Sequence, residues 1–192
     1  MRIEASLKTT GDPRPIEIYA RITRAGSGEK FWAGSLGRAG LRGDGTIGVT
    51  HTIRHLKPAL WSPSEPALYE LQLTASQEDV SATDSVRFGF RSIERRGGQL
   101  LLNGQPIFLR GLAINPPGRT IPEEVGESRK FAEAYVRFLK NHNVNTMRLT
   151  HDSQVWFDVC DELGMLVSRA NTVRHRKRIP ESKSRLPILT RA

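Results

Sequence analysis

Arg148, His151 and Asp152 are the residues whose types and spacing could do chemistry together. They sit where a short apolar run, Asn145-Thr146-Met147-Arg148-Leu149-Thr150, gives way to the polar corner His151-Asp152-Ser153. A guanidinium donates hydrogen bonds, an imidazole donates and accepts, and a carboxylate accepts. That set suits the hydroxyl groups of a polar ligand. A charge inside an apolar strand is costly unless paired. Arg148 therefore either faces a binding site or belongs to a structural ion pair. His151 is either a ligand contact at the strand exit or a loop-packing histidine. Asn115, at the end of an earlier apolar run, is a further candidate of the same kind.

The elements around these residues are readable from pattern. Val155 to Leu163 is helical by periodicity, and Gly164 is placed to end it. Met165-Leu166-Val167 begins another strand. Strand, helix and strand make one turn of a βαβ unit, in which polar groups at strand C-terminal ends face the ligand. Before this lies an amphipathic helix over Glu127–Asn141, with Phe131, Ala134, Tyr135, Phe138 and Leu139 on one stripe and Asn143 as a left-handed stop. Asn115–Gly126 is a Pro/Gly loop that also carries Glu123 and Glu124.

Residues 1–91 read differently. Ile16–Ile22, Thr46–Leu56, Leu68–Leu73 and Ser85–Phe90 carry period-two alternation to varying degrees, separated by turn-rich stretches. Several short strands so spaced predict a β-sandwich. Residues 92–112 form a junction, where Asn103-Gly104 between apolar runs predicts a hairpin and Pro106 restricts its second strand to an edge or a strand start.

Composition narrows the classes. The chain has 192 residues, 38% hydrophobic and 26% charged, as in globular proteins. No stretch approaches the roughly 18 apolar residues of a membrane span, and no signal peptide is visible at the N-terminus. The compartment stays open. The net charge of +9 is concentrated in Ser168–Ala192, with eight Lys/Arg and one Asp/Glu; the preceding residues hold 21 basic and 19 acidic side chains. Basicity thus belongs to a tail, and a nucleic-acid partner is not expected for the folded body. The tail has little periodicity and reads as disordered or as non-native coding sequence. The single cysteine, Cys160, excludes an internal disulfide and reads as a buried helix residue.

Other patterns fail their context. Gly43-Asp44-Gly45-Thr46-Ile47-Gly48 fits G-x-G-x-x-G, but no strand leads in and no helix follows, so it is no dinucleotide site. His51 and His55 have i,i+4 spacing in a segment that reads as strand. Trp61, beside Pro63 and Pro66, reads as packing on a sandwich edge, and Trp156 as helix core.

Three segments, in this order, resemble family two glycoside hydrolases, the group of β-galactosidases, β-glucuronidases and β-mannosidases. Leu60-Trp61-Ser62-Pro63-Ser64-Glu65-Pro66-Ala67-Leu68-Tyr69 is similar to the family's W-S/T-P-x-x-P-x-L-Y segment. Phe88-Gly89-Phe90-Arg91 and Leu102-Asn103-Gly104-Gln105-Pro106-Ile107-Phe108-Leu109-Arg110-Gly111 resemble the passage into its first barrel strand. Asn145–His151 with Cys160–Val167 resembles its N-x-x-R-x-x-H-Y-P strand and the helix after it.

The resemblance implies a multidomain β + α/β fold: an immunoglobulin-like β-sandwich over 1–96, then the first βα units of a truncated (β/α)8 TIM barrel over 97–167, with 168–192 as the basic tail. It implies a fragment of a retaining glycoside hydrolase acting on O-glycosidic bonds. The acid/base and nucleophile glutamates follow the fourth and seventh barrel strands in the family, beyond what this chain can hold. Hence no catalytic residue is assigned here, and the chain is expected to be inactive alone. Arg148, His151, Asp152 and Asn115 are expected in the substrate pocket, for a carbohydrate partner, with no cofactor and no metal. The family's His-Tyr-Pro is His151-Asp152-Ser153, and Ala113–Gly118 departs from the β-galactosidase first-strand loop, so sugar preference does not carry over. The alternative is a stand-alone β-sandwich that binds carbohydrate or protein.

Overall fold

The computed structural model describes residues 1–8, 15–39, 46–78, 80–114, 121–149 and 153–169. Most described residues in regular structure are in strands, and the chain forms two compact units.

The first unit is built from Met1–Ala59 and Tyr69–Phe88. It contains β1 (Arg2–Lys8), β2 (Ile16–Arg24), β3 (Lys30–Ala39), β4 (Thr46–Thr52), β5 (Tyr69–Gln77) and β6 (Val80–Phe88). Four of these make an antiparallel sheet in the order β3-β2-β5-β6, and β1 pairs with β4. Strand β2 shows why: Ile16, Ile18, Ala20 and Ile22 are buried while Glu17, Tyr19 and Arg21 are exposed. Successive side chains point to opposite faces, so alternation in sequence becomes one buried face. The rings of Phe31 and Phe88 flank Tyr69 on the buried side, at 4.9 and 6.0 Å.

Strands β1 and β3 are additional to those expected. Strand β3 shifts register against β2 at two places, and its glycines and scattered apolar residues hide the period. Strand β6 is exposed from Val80 to Ser85, as befits an outer strand of the sheet. The glycine pattern Gly43–Gly48 lies partly outside the described residues, and strand β4 begins within it at Thr46. His51 is on β4, and His55 lies beyond it at φ 60°, so the two do not share a helix face.

The second unit takes, of the described residues, Leu60–Leu68 and those from Gly89 to Arg169. Its first sheet is antiparallel: β7 (Ile93–Arg96), β8 (Gln99–Leu102) and β9 (Gln105–Pro106). The Asn103-Gly104 turn has φ of +54° and +79°, the mirror-type hairpin that this dipeptide favours. Then come β10 (Gly111–Ile114), α1 (Glu123–Gly126), α2 (Arg129–Asn141), β11 (Thr146–Leu149), α3 (Gln154–Leu163) and β12 (Leu166–Arg169). Strands β10, β11 and β12 are parallel neighbours, joined through α2 and α3.

The core of this part packs Ala132, Val136 and Leu139 of α2 and Trp156, Val159 and Cys160 of α3 against Met147 and Leu149 of β11 and Met165. Helix α2 begins at Ser128, whose Oγ accepts from the Phe131 amide at 3.3 Å, and the chain leaves through Asn143 at φ 61°. Its buried stripe is rotated from the expected one. Ala134 and Phe138 are exposed, and Ala132 and Val136 lie inside, because α3 and β11 are covered by the 132–136–139 line. Glu123 and Glu124 are in the exposed first turn of α1 rather than in open loop. Strand β12 runs to Arg169, two residues past Val167.

Cys160 is fully buried with Sγ 3.3 Å from Met147 Sδ. Burial, and secondarily the Asp161 carboxylate, push its thiol up to about 12 from 9.0. A folded-state pKa raised in this way gives stability that is complete below the unfolded pKa and lost as pH climbs from about 9 towards 12. Two results are expected: native chain resists iodoacetamide at about pH 9, whereas urea-unfolded chain is alkylated rapidly. Alkylation of native chain at the unfolded rate would mean the helices do not seal over β11.

Candidate functional site

The parallel sheet presents two unlike faces. On β11, Met147 and Leu149 are fully buried beneath the helices, while Thr146 is half-buried and Arg148 exposed. The strand period therefore resolves the arginine in the apolar run: its side chain lies on the face opposite the helix core, where no desolvation needs compensating. In register beside Arg148 stand Ala113 on β10 and Ser168 on β12. Both are small, so they leave space around the guanidinium. No ion-pair partner for Arg148 is found among the described residues, which sets aside a buried structural ion pair with any of them.

The N-terminal ends of the three strands are stitched by one residue. Asn145, only 8% exposed, accepts through Oδ1 from the Arg110 amide at 2.8 Å and donates through Nδ2 to the Phe108 carbonyl at 2.9 Å. Its own carbonyl accepts from the Leu166 amide at 2.9 Å. The register of β10, β11 and β12 is thereby set from one residue. Gly111 permits the close approach of β10 to β11, since a Cβ there would stand 2.7 Å from the Thr146 carbonyl oxygen and closer still to its Cγ2. With that register fixed, β10 and β11 end level at Ile114 and Leu149. Their exits lie at the same end of the sheet. Asn115 follows the first exit; His151 and Asp152 follow the second. These three lie outside the described residues. Ser153, the residue before α3, is buried.

Two of the carboxylates weighed from sequence have partners on the helices. Asp158 accepts from Gln154 Nε2 one turn earlier on α3. Glu162 is ion-paired with Arg129, which also holds Glu133 at 2.7 Å. Among the described residues no group of three or more His, Cys, Asp or Glu is disposed to hold a metal ion.

A second polar cluster was not legible in the sequence. Trp61 is fully buried within the second unit, not on a sheet edge of the first. Its indole N–H donates to the Asp161 carbonyl at 2.8 Å, and the Arg91 guanidinium lies over its ring at 4.8 Å. Burial lowers the Arg91 pKa and the Asp161 charge partly restores it. The only local signal was Arg91 closing the Phe-Gly-Phe-Arg run.

Comparison with known proteins settles the family. The model for Glycosyl hydrolases family 2 matches residues 4–91. The β-galactosidase of Streptococcus thermophilus is 32% identical over 188 residues, 91% of this chain. This chain belongs to glycosyl hydrolase family 2. A crystallised family 2 member from Bacteroides cellulosilyticus superposes over 86% of the chain with a TM-score of 0.77 at 24% identity. The β-glucuronidase of Parabacteroides merdae, solved with glycerol in its active site, superposes over 86% at 0.67 and 26% identity. This family 2 chain spans 16% of the Streptococcus enzyme and 23% and 21% of the two crystallised chains. It spans 13% of the β-galactosidase of Leuconostoc mesenteroides.

Proposed function

We propose that this chain is a segment of a retaining glycoside hydrolase that cleaves O-glycosidic bonds of β-glycosides. In this reading residues 1–96 supply an immunoglobulin-like sandwich and 97–167 the opening βα units of a (β/α)8 barrel. The observation that carries it is the parallel sheet β10-β11-β12. Its helices cover one face, and its exits at Ile114 and Leu149 are level. Parallel sheets are ordinarily covered on both faces, and barrel enzymes bind substrate at the C-terminal ends of their strands. Arg148 then projects towards the enclosed side, and Asn115, His151 and Asp152 follow strand ends.

Retention of configuration requires a nucleophile and an acid/base carboxyl group about 5–5.5 Å apart. In this reading both are carboxylates of the rest of the parent enzyme, and the residues here bind and orient sugar hydroxyls. An arginine that donates to a hydroxyl or to a catalytic carboxylate contributes roughly 1.5–3 kcal/mol.

The purified chain is expected to show no turnover of a panel of nitrophenyl β-glycosides. In a full-length enzyme that carries this segment, Arg148→Met should lower kcat/KM by about ten- to a hundredfold with an unchanged melting temperature. Genuine turnover by the isolated chain, or unaltered kinetics in the variant, would count against the reading.

A further inference from the structure

We propose that Leu60–Leu68, an excursion between β4 and β5 of the first unit's chain, is a clasp that holds the second unit in order, with Trp61 as its pin. The proposal concerns folding and order, and stands apart from the catalytic reading.

Three elements of the second unit close on this segment. The β8–β9 turn does so through Asn103, which donates Nδ2 to the Trp61 carbonyl at 3.0 Å while its Oδ1 accepts from the Ser92 amide at 2.9 Å. Helix α2 does so through Lys140, whose Nζ donates to the Pro63 carbonyl at 2.6 Å and also to the Leu163 carbonyl. The end of α3 does so through the Asp161 carbonyl, which receives the Trp61 indole. The last carbonyls of a helix lack partners within it. Here Trp61 of the clasp supplies one to Asp161, and Lys140 of α2, held by the clasp's Pro63, supplies one to Leu163.

Two glycines carry the same message independently. A Cβ at Gly89 would stand 3.0 Å from Trp61 Cβ and 3.3 Å from the Ala67 carbonyl oxygen. A Cβ at Gly164 would run into the Pro63 carbonyl oxygen. At these two positions the second unit carries no side chain where the segment lies. The Trp61 amide completes the seat by donating to Phe90 O at 2.8 Å. At the neck of the excursion, in the first unit, the Ala59 amide donates to the Tyr69 hydroxyl at 2.9 Å.

The test is native-state hydrogen exchange on the full chain and its Trp61→Ala variant. Amides of α3, Met165 and Leu166 should lose protection at least tenfold, while the β2–β5 ladder stays within about threefold. Loss confined to the β2–β5 ladder, equal loss in both units, or no loss would overturn the proposal. If Trp61→Ala does not fold, Lys140→Met and Asn103→Asp decide on the same amides. Lys140 also bonds the Leu163 carbonyl of α3 itself, so its result is read beside Asn103→Asp, which loses the Nδ2 donor to Trp61 and keeps the acceptor for Ser92 without touching α3. A selective loss at α3 and Met165 in both variants supports the clasp, and any other pattern overturns it.

Discussion

Trp156→Ala should unfold the second unit's helices at markedly lower denaturant, with a loss of about 3–5 kcal/mol. Trp156 is fully buried. Its ring meets Phe131 and Tyr135 edge-on at 6.1 and 6.0 Å, and its indole N–H donates to the Gly126 carbonyl at 3.0 Å. Alanine removes the ring, leaves a cavity between α2 and α3, and strands a buried acceptor. Trp156→Phe separates these contributions. It keeps most of the packing and loses only the donor, for about 1–3 kcal/mol. The described helices all lie in this unit, so urea unfolding followed by helical circular dichroism reports on it directly. Equal losses in the two variants would show that the hydrogen bond to Gly126, and not the packed ring, dominates.

Gly164→Ala should cost about 2–4 kcal/mol, from two sources. Gly164 ends α3 at φ 74°, where a Cβ is penalised by about 1 kcal/mol. The added methyl would also collide with the Pro63 carbonyl, with Lys140 Nζ 3.0 Å away. Backbone cannot swing aside as a side-chain tip does, so a further 1–3 kcal/mol of overpacking is expected, at roughly the level seen in crowded cores. Gly164→Asn distinguishes the sources. Asparagine tolerates left-handed backbone but brings the same Cβ, so it should recover at most the backbone part, about 1 kcal/mol, and keep the overpacking cost. Full recovery of stability with asparagine would place the whole cost in the backbone angle.

The sequence was most legible where structure is local. Period-two alternation located β2 and β5, the Asn-Gly pair located the β8–β9 turn, and Gly164 located the end of α3. Strands β1 and β3 went unread, the latter because glycines and two register shifts break its period. The stripe of α2 was placed about a residue off. Phe131, Tyr135 and Leu139 do define a face, but which flank of it is sealed depends on α3 and β11, and the helix alone does not say. Asn145 looked like the first residue of a strand; its work as a stitch between three strands rests on partners about 35 positions earlier and 20 later. Trp61 reads as edge packing in sequence because its partners Arg91, Asn103 and Asp161 are remote along the chain. Of the site, Arg148 was legible as an anomaly in an apolar run, and the pleat explains how it is tolerated.

The Trp61–Asp161 hydrogen bond joins residues 100 positions apart, and that separation becomes a delay during synthesis. At about 5–20 residues per second the ribosome needs roughly 5–20 s after Trp61 to produce its acceptor. Strands β2 and β5 can pair well before then. In that interval a large aromatic side chain and its proline-rich flanks hang from a sheet that is already forming. The nascent chain thus carries a temporary adhesive spot that only its own later residues cover. A translational pause between residues 70 and 160 would prolong that exposure, and its cost would appear as lost soluble yield in a protein whose finished fold is unchanged.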